Sequence, residues 1–227
     1  MFKRIFTGAL FAGIATGLIA ALLHVIFVEH ILLHAELFES GVLKHVAEIG
    51  SASEVDVETD VMRNALTVLF STLLYSGYGL LLVALMALAS ERGVTITART
   101  GIIWGIAGFI TVQFAPAFSL PPELPGMSAA DLTMRQIWWY GTLGATGVSI
   151  WLIAFGRNWA AWGTAVVLAA LPHIIGAPHP ELFHGTVPPE LATLFAGRTL
   201  GVGLVAWIIL GLLSGYFWQR GATSASA

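Results

Sequence analysis

The sequence contains no cysteine. Disulfides, thiolate metal sites and cysteine nucleophiles are therefore excluded, and any metal would be bound by histidine, carboxylate or backbone oxygen. Charge is also scarce, because Asp, Glu, Lys and Arg together make up 10% of the chain, compared with about 25% in a soluble protein. So few charges cannot cover a water-facing surface, which indicates that lipid forms part of the surroundings. The net charge of −3 argues against nucleic-acid binding, which needs a basic surface.

Motifs of hydrolytic and nucleotide chemistry are missing as well. The sequence has no serine nucleophile elbow, no phosphate-binding loop and no ATPase motif, each of which needs glycines at fixed spacing around a reactive or phosphate-binding group. We therefore expect a protein that is not an enzyme and that moves any solute without an ATP site of its own. The polar stretches are too short to bury a core, so we expect a single membrane domain over residues 1–227.

Long apolar runs dominate what is present. A membrane-spanning helix needs about 20 mostly apolar residues, and six runs approach or exceed that length. We predict an all-α, polytopic membrane protein with six transmembrane helices arranged as three helical hairpins. We also expect an outer loop rich in acidic residues and histidine over residues 29–63 and a flexible tail over residues 221–227. The six runs are residues 5–28, 65–89, 101–118, 137–155, 159–175 and 200–218.

Two runs are open to another interpretation. The first follows Lys3 and Arg4, as in a signal peptide, but it is too long for a signal-peptide core and no small-residue cleavage site ends it. We therefore expect a retained helix. The fifth run is short, and only Arg157 and Asn158 separate it from the fourth. A count of five spans is the alternative.

Charged residues and histidines are distributed unevenly along this predicted topology. With the N-terminus inside, the inner side carries six basic residues and the outer side four, a mild bias in the direction of the positive-inside rule. Twelve of the thirteen acidic residues fall outside, and only Glu91 falls inside. A negative outer face raises the local concentration of cations. All seven histidines lie on the outer side or in the outer halves of helices: His24, His30, His34, His45, His173, His179 and His184.

Imidazole and carboxylate are ligands for divalent transition metals, and they are densest in residues 172–184. His173, His179, Glu181 and His184 fall within this segment. Its prolines stop a regular helix and free backbone carbonyls, and irregular backbone at membrane depth is tolerated where it lines a wet cavity. The segment is therefore the strongest candidate for binding a cation, with ordinary loop turning as the alternative.

A second group of candidate ligands lies at the end of the first run. His30 and His34 are four residues apart, so a continuous helix puts both imidazoles on one face, where they could bind one metal ion. An amphipathic helix on the membrane surface is the alternative, and Gly41 is placed to break the helix. His24 lies about one turn inside the outer end of the run. An ionisable group there faces a cavity or a partner, or it snorkels to the interface.

The sequence repeats around two prolines, Pro116 and Pro172. Each lies near the end of an apolar run, in residues 115–118 and 171–174, and each of these segments is followed by a stretch that contains Pro-Glu-Leu. Internal repeats and proline-broken helix ends build the substrate site of many transporters, although proline-rich loops also follow membrane helices without any repetition. Gln113 lies three residues before Pro116, where it would either line a pathway or bond a neighbouring helix.

Small and aromatic residues indicate helix packing and a membrane interface. Two sets of glycines at helical spacing predict close contacts between helices, and a cluster that contains two tryptophans and a tyrosine predicts an interfacial belt. The glycines are Gly101, Gly105, Gly108, Gly141, Gly144 and Gly147, and the aromatic residues are Trp138, Trp139 and Tyr140.

Four segments give the chain its resemblance to a known family. They are residues 105–109, residues 115–126, the Arg-Gln-Ile-Trp-Trp string at 135–139 and the Pro-His-Ile-Ile-Gly-Ala-Pro-His-Pro string at 172–180. Over nearly its whole length the chain resembles the CbtA family, which is described as proposed cobalt-transporter A subunits. The resemblance implies a bacterial cytoplasmic membrane protein that takes up cobalt for cobalamin synthesis, together with a small single-helix B subunit with a histidine-rich tail. The family is usually described with five spans, one fewer than counted above. It places these residues near function: Pro116, Glu123, Arg135, His173, His179 and Glu181.

We therefore expect a subunit that takes up Co²⁺, or the related cations Ni²⁺ or Zn²⁺, because imidazole ligands favour these over Mg²⁺. No tightly bound cofactor is expected, and the partners are the B subunit, membrane lipid and the cation, without nucleic acid. The alternative is a membrane metal-binding or haem-binding protein, or a metalloenzyme, that uses the same histidines as fixed ligands. The predicted metal ligands are His173, His179, His184, Glu181, His24, His30, His34 and Glu123, and the predicted pathway residues are Pro116, Gln113 and Pro172.

Overall fold

The computed structural model describes residues 2–43, 60–182 and 185–223, and the regular structure in these ranges is helical. Two of the helices are joined to the next one by a π-helical turn, Val25–Glu29 and Ile110–Phe114, so that each pair forms one continuous helical stretch. The α-helices are α1 (Phe2–His24), α2 (His30–Glu39), α3 (Val61–Glu91), α4 (Ala98–Phe109), α5 (Ala115–Ser119), α6 (Leu132–Phe155), α7 (Trp159–Ile175) and α8 (Pro189–Thr223).

Every predicted apolar run coincides with a helix. Among the described residues, four helical stretches are long and apolar enough to cross a membrane: Ile5–Glu39, Val61–Glu91, Ala98–Ser119 and Pro189–Gly221. The shorter helix α7 is apolar over 17 residues, whereas α6 is 24 residues long but contains Trp, Tyr, Gly and Thr residues that lower its mean hydropathy. The protein is therefore all-helical with several apolar helices, and the count of six spans stays a prediction.

Large apolar side chains on these helices face outward. Trp159 is 84% exposed, Phe70 67% and Val166 66%. A soluble protein rarely exposes contiguous apolar surface, so lipid is the solvent that suits these faces.

Polar caps and glycines set the helix boundaries. The side chains of Asp60, Asp131 and Asn158 accept hydrogen bonds from the first backbone N–H groups of α3, α6 and α7, which satisfies donors that have no partner within the helix. The Asn158 cap makes α6 and α7 two separate helices. Gly41 has a φ of 76°, a left-handed conformation that ends a helix, and α2 stops two residues before it.

Parts of the predicted loop and of the predicted tail are helical. Residues 30–39 and 61–63 are helical, so the loop predicted over residues 29–63 is helical at both ends, and its middle lies outside the described residues. Helix α8 continues to Thr223, so residues 221–223 belong to that helix. The rest of the predicted tail, residues 224–227, lies outside the described residues.

The chain divides into two compact units. The first comprises Met1–Val28, Glu58–Phe109 and Gly201–Ala227, and the second comprises Glu29–Val57 and Ile110–Leu200. In the first unit α1 packs along α3, and α4 crosses α8 at glycines. A Cβ added at Gly101 would collide with the backbone of Gly211, and one added at Gly105 would collide with the backbone of Trp207. The first predicted glycine contact is therefore confirmed, because only glycine permits such a close crossing.

The second glycine prediction is wrong at two of its three positions. No described atom outside the local helix lies within 4 Å of a Cβ added at Gly141 or Gly144. Only Gly147 approaches a neighbour, since its added Cβ would lie 3.4 Å from Cγ2 of Thr111. Glycine spacing alone therefore does not tell a packed helix face from an open one.

Hydrogen bonds join both the helices and the loops of the second unit. The Ser149 hydroxyl on α6 donates to the Ala165 carbonyl on α7 at 2.8 Å. The loops that follow α5 and α7 pair through their backbones, since Thr186 N donates to Gly126 O at 3.1 Å. A Cβ added at Gly126 would lie 3.2 Å from Cβ of Glu39, so the end of α2 reaches the same loops.

Candidate cation site

Nearly all the predicted site residues belong to the second unit. His24 is half-buried in α1 of the first unit, and it is the one predicted ligand outside the second unit. His184 lies outside the described residues. The second unit therefore contains the candidate site, and the end of α7 is its best-defined part.

Helix α7 ends one turn after Pro172 because of its own sequence. Gly176 has a φ of 90°, which only glycine adopts without strain, and its N–H donates to Pro172 O at 3.0 Å. Pro178 follows and cannot continue a helix. The last turn of α7 therefore presents His173 at the edge of an irregular segment, as the sequence predicts.

His173 is held by three neighbouring side chains. Its Nδ1 lies 2.8 Å from Oγ of Ser119, the last residue of α5. Two aromatic rings pack against the imidazole, Phe118 with its centroid 5.2 Å away and Trp138 with its centroid 6.0 Å away. Both ring planes are steeply inclined to the imidazole, at 80° and 69°. The imidazole is half-buried, and these three neighbours limit its rotation.

Trp138 fixes the same helix end through its indole. Its Nε1 donates to Pro172 O at 3.2 Å, so this carbonyl accepts from both the indole and the Gly176 N–H. The carbonyl has two lone pairs and both are used. Trp138 therefore positions the turn that carries His173, a more specific role than the interfacial belt predicted for it.

Glu123 and Arg135 form an ion pair. Nη2 of Arg135, in the first turn of α6, lies 2.6 Å from Oε2 of Glu123 in the loop after α5. The two side chains are 25% and 21% exposed, so the pair is partly shielded from water. Glu123 is thus bonded to a guanidinium, and a cation at this carboxylate would have to share it with Arg135.

Pro116 occupies a position equivalent to that of Pro172. Both prolines are buried, and Pro116 O accepts from Leu120 N at 2.9 Å as Pro172 O accepts from Gly176 N. The two following loops also pair with each other, through the Thr186–Gly126 hydrogen bond and an antiparallel bridge between Met127 and Gly185. Matching helix ends joined to mutually paired loops support the internal repeat.

Gln113 lies in the π-helical turn Ile110–Phe114. Its Oε1 is buried without a hydrogen-bond partner among the described residues. A π-helical turn widens the backbone ladder and often occurs at functional positions. A buried amide oxygen without a partner is costly, and these two features keep Gln113 a candidate for the pathway.

His30 and His34 lie on one face of α2, as the spacing predicts. Their ring centroids are 5.8 Å apart, His30 is exposed and His34 is half-buried against Phe38, with 6.4 Å between those ring centroids. The helix ends before it reaches His45, which lies outside the described residues. Helix α2 therefore carries two predicted ligands on one face, and no third His, Asp or Glu among the described residues completes a metal site with them.

The remaining ligands in the second unit are exposed. His179 and Glu181 follow α7 in the irregular segment and face solvent. In the part of the chain that the structure describes, no three His, Asp or Glu side chains come close enough to hold a metal ion. The structure instead brings one imidazole together with a hydroxyl and two aromatic rings, and the metal-ligand roles stay predictions.

Buried hydroxyls on α6 are polar features that the sequence analysis missed. Thr142, Thr146 and Ser149 are all under 5% exposed, and their spacing places them on one face of the helix. The hydroxyl of Thr142 donates to Trp138 O at 2.9 Å, and that of Ser149 donates to α7. Thr146 Oγ1 has no partner among the described residues. The spacing of these hydroxyl residues within an apolar run was the sequence feature that could have predicted a buried polar face on α6.

Comparison with known proteins gives one finding. The model of the family described as "Probable cobalt transporter subunit (CbtA)" matches residues 2–219 of the 227-residue chain. No curated protein and no solved structure matches the chain significantly.

Proposed function

The chain belongs to the CbtA family of probable cobalt transporter subunits, and we propose that it is the membrane-spanning subunit of a Co²⁺ uptake system. The observation that carries this proposal is the family match over residues 2–219. A transporter subunit also agrees with the several apolar helices of the protein and with the lack of an enzymatic motif in its sequence. Transport, rather than catalysis, is the activity that these features support.

The proposed route of the cation begins at the outer carboxylates and histidines. Glu181 and His179 collect the ion beside the end of α7, and the imidazole of His173 replaces part of its hydration shell. His184 is a further proposed ligand. His30 and His34 on α2 are further ligands on the route, and Glu123 contributes a carboxylate when Arg135 shares it. His24 on α1 of the first unit is a separate proposed ligand. Pro116, Gln113 and Pro172 line the pathway. The site has to be weak enough to release the ion.

The proposed topology has six spans with the N-terminus inside a bacterial cytoplasmic membrane. The hydrogen bond between Thr186 N and Gly126 O supports an even number of crossings between these residues, because bonded loops lie on the same side of a membrane. Gly126 also lies close to Glu39, which supports an even number of crossings between those two residues, by α3 and α4. A total of five spans is an odd number and does not fit these two pairings.

The proposed partner is a small single-helix subunit with a histidine-rich tail, and the proposed destination of the cobalt is cobalamin synthesis. The description of the family as a subunit supports the presence of a partner. Purification of the complex from cells that express both proteins, followed by uptake measurements with and without the small subunit, tests this part of the proposal.

The proposed substrate is Co²⁺, with Ni²⁺ and Zn²⁺ as competitors, because ligand affinity alone does not separate these ions. Transport predicts weak, exchangeable binding, so the purified protein should retain little metal. A fixed metal or haem centre would instead leave a stoichiometric metal or a visible chromophore after purification. Elemental analysis and an absorption spectrum distinguish the two.

The central test is radiolabelled Co²⁺ uptake in cells that lack other cobalt importers. We expect the His173→Ala, His179→Ala double variant to lose uptake by about tenfold or more at low Co²⁺, since even the loss of a residue that orients a metal ligand usually costs about 10–100-fold. The matched control is His45→Ala, a histidine outside the proposed ligand set. Wild-type uptake by the double variant, at equal protein in the membrane, would contradict the proposed role of both histidines.

A further inference from the structure

His173 has one imidazole nitrogen engaged and one available. Its Nδ1 lies 2.8 Å from Ser119 Oγ, and the structure gives the ring no second hydrogen bond among the described residues. Phe118 and Trp138 pack against the ring at steep angles and oppose its rotation. A cation bound by His173 would therefore be coordinated through Nε2.

The proton on the imidazole decides whether Nε2 can bind a cation. A neutral imidazole carries one proton, so Nε2 offers a lone pair only when the proton is on Nδ1. In that tautomer Nδ1 donates and Ser119 Oγ accepts. In the other tautomer the Ser119 hydroxyl donates to Nδ1, and the Nε2–H group cannot coordinate a metal. The Ser119 hydroxyl can rotate to hydrogen-bond with either tautomer. When water moves the proton from one ring nitrogen to the other, the imidazole stays neutral.

The chemistry of the Nδ1 partner sets the strength of the ligand. Histidines that hold a resident metal commonly donate their second N–H to a carboxylate, which raises ligand basicity and affinity. A serine hydroxyl is a neutral and weaker acceptor, so it leaves Nε2 a weaker donor to the metal. Weak coordination suits an ion that has to leave the site as well as enter it.

We propose that Ser119 is a positioning residue for the cation site. It holds Nδ1 of His173, directs Nε2 to the ion and keeps the imidazole weak enough for release. This inference rests on the proposed function, because it assigns Ser119 a role through His173. The ligand class is a divalent transition-metal cation that accepts imidazole nitrogen.

Three substitutions of Ser119 separate positioning from ligand strength. Ser119→Thr keeps the hydroxyl, and we expect uptake close to that of the wild type. Ser119→Ala removes the acceptor, and we expect the KM for Co²⁺ to rise by about 10–100-fold. Ser119→Asp supplies a carboxylate, and we expect a lower KM together with a lower maximal rate because release becomes slow. Radiolabelled Co²⁺ uptake over a range of concentrations measures both quantities.

A double-variant comparison distinguishes this role from a structural one. If Ser119 acts through His173, then Ser119→Ala changes Co²⁺ binding in the wild type and has no further effect in a His173→Ala background. Binding is followed with the purified protein by the visible absorption of bound Co²⁺, alongside the thermal melting temperature. A substitution that lowers the melting temperature equally in both backgrounds and leaves the KM unchanged would overturn the inference.

The failure of the inference and that of the proposed function have different signatures. Loss of uptake in His173→Ala with wild-type kinetics in Ser119→Ala and Ser119→Asp would refute the role of Ser119 alone. Wild-type uptake in His173→Ala would refute the proposed site itself. Equal losses in Ser119→Ala and Ser119→Asp, with normal uptake in Ser119→Thr, would retain positioning by the hydroxyl and overturn the claim about ligand strength.

Discussion

Single side-chain pairs define the end of the second unit that contains the candidate site. The Ser119–His173 hydrogen bond joins α5 to α7, and the Glu123–Arg135 ion pair joins the loop after α5 to the start of α6. A partly exposed ion pair contributes little to stability, about 0–1 kcal/mol. The value of the Glu123–Arg135 pair is therefore more in placing a carboxylate than in holding the fold together.

Reversing the Glu123–Arg135 pair tests whether the Glu123 carboxylate takes part in Co²⁺ uptake or only pairs with Arg135. We expect Glu123→Gln to lower Co²⁺ uptake while changing the free energy of unfolding by less than about 1 kcal/mol. The double variant Glu123→Arg, Arg135→Glu restores the pair and should unfold as the wild type does, but uptake should stay low because position 123 is now cationic. Uptake assays and thermal denaturation in detergent measure the two effects. Restored uptake in the reversed pair would mean that Glu123 serves only as a partner for Arg135.

At the scale of elements, similar glycine patterns on two helices have different surroundings. Gly105 of α4 lies against the backbone of Trp207 of α8, where a methyl group has no room. Gly144 of α6 faces open space, although it belongs to an equally regular glycine pattern in the sequence. The difference depends on which helix packs opposite, and the spacing within one helix does not contain that information.

A pair of Gly→Ala substitutions makes this difference measurable. Gly105→Ala forces α4 and α8 apart, and we expect a loss of stability of about 1–3 kcal/mol or more. Gly144→Ala is the matched control, for which we expect no loss and a gain of up to about 1 kcal/mol from the higher helix propensity of alanine. Thermal denaturation of the purified proteins in one detergent compares them directly. A tolerated Gly105→Ala would contradict the close crossing of the two helices.

For the whole molecule, the sequence was sufficient to locate the helices but not the pairs between them. Each long apolar run lies within one continuous stretch of the sequence, so it can be read from the chain. The bond between Ser119 and His173 joins residues 54 positions apart, and nothing in the local pattern at Ser119 predicts it. The place of His173 at a helix end was predictable, because Pro172 and Pro178 are close to it in the sequence, while its role as a metal ligand stays a prediction.

The paired loops restrict how the whole chain crosses a membrane. Thr186 and Gly126 share a backbone hydrogen bond, so α6 and α7 together cross either twice or not at all. The first case gives six spans. The second gives four, which equals the number of long apolar stretches among the described residues. If the N-terminus is inside, as proposed, the turn between α6 and α7 lies on the inner side in the first case and on the outer side in the second.

The absence of native cysteine makes this choice accessible to experiment, since each introduced thiol is the only one in the protein. We expect a membrane-impermeant maleimide to label Ala129→Cys and Glu190→Cys in intact spheroplasts, and to label Arg157→Cys only after the membrane is permeabilised. All three native residues are exposed, so burial within the protein should not protect them. Labelling of Arg157→Cys in intact spheroplasts would indicate four spans. Labelling that differs between positions 129 and 190 would contradict the even number of crossings, because loops held by a shared hydrogen bond cannot lie on opposite sides of the membrane.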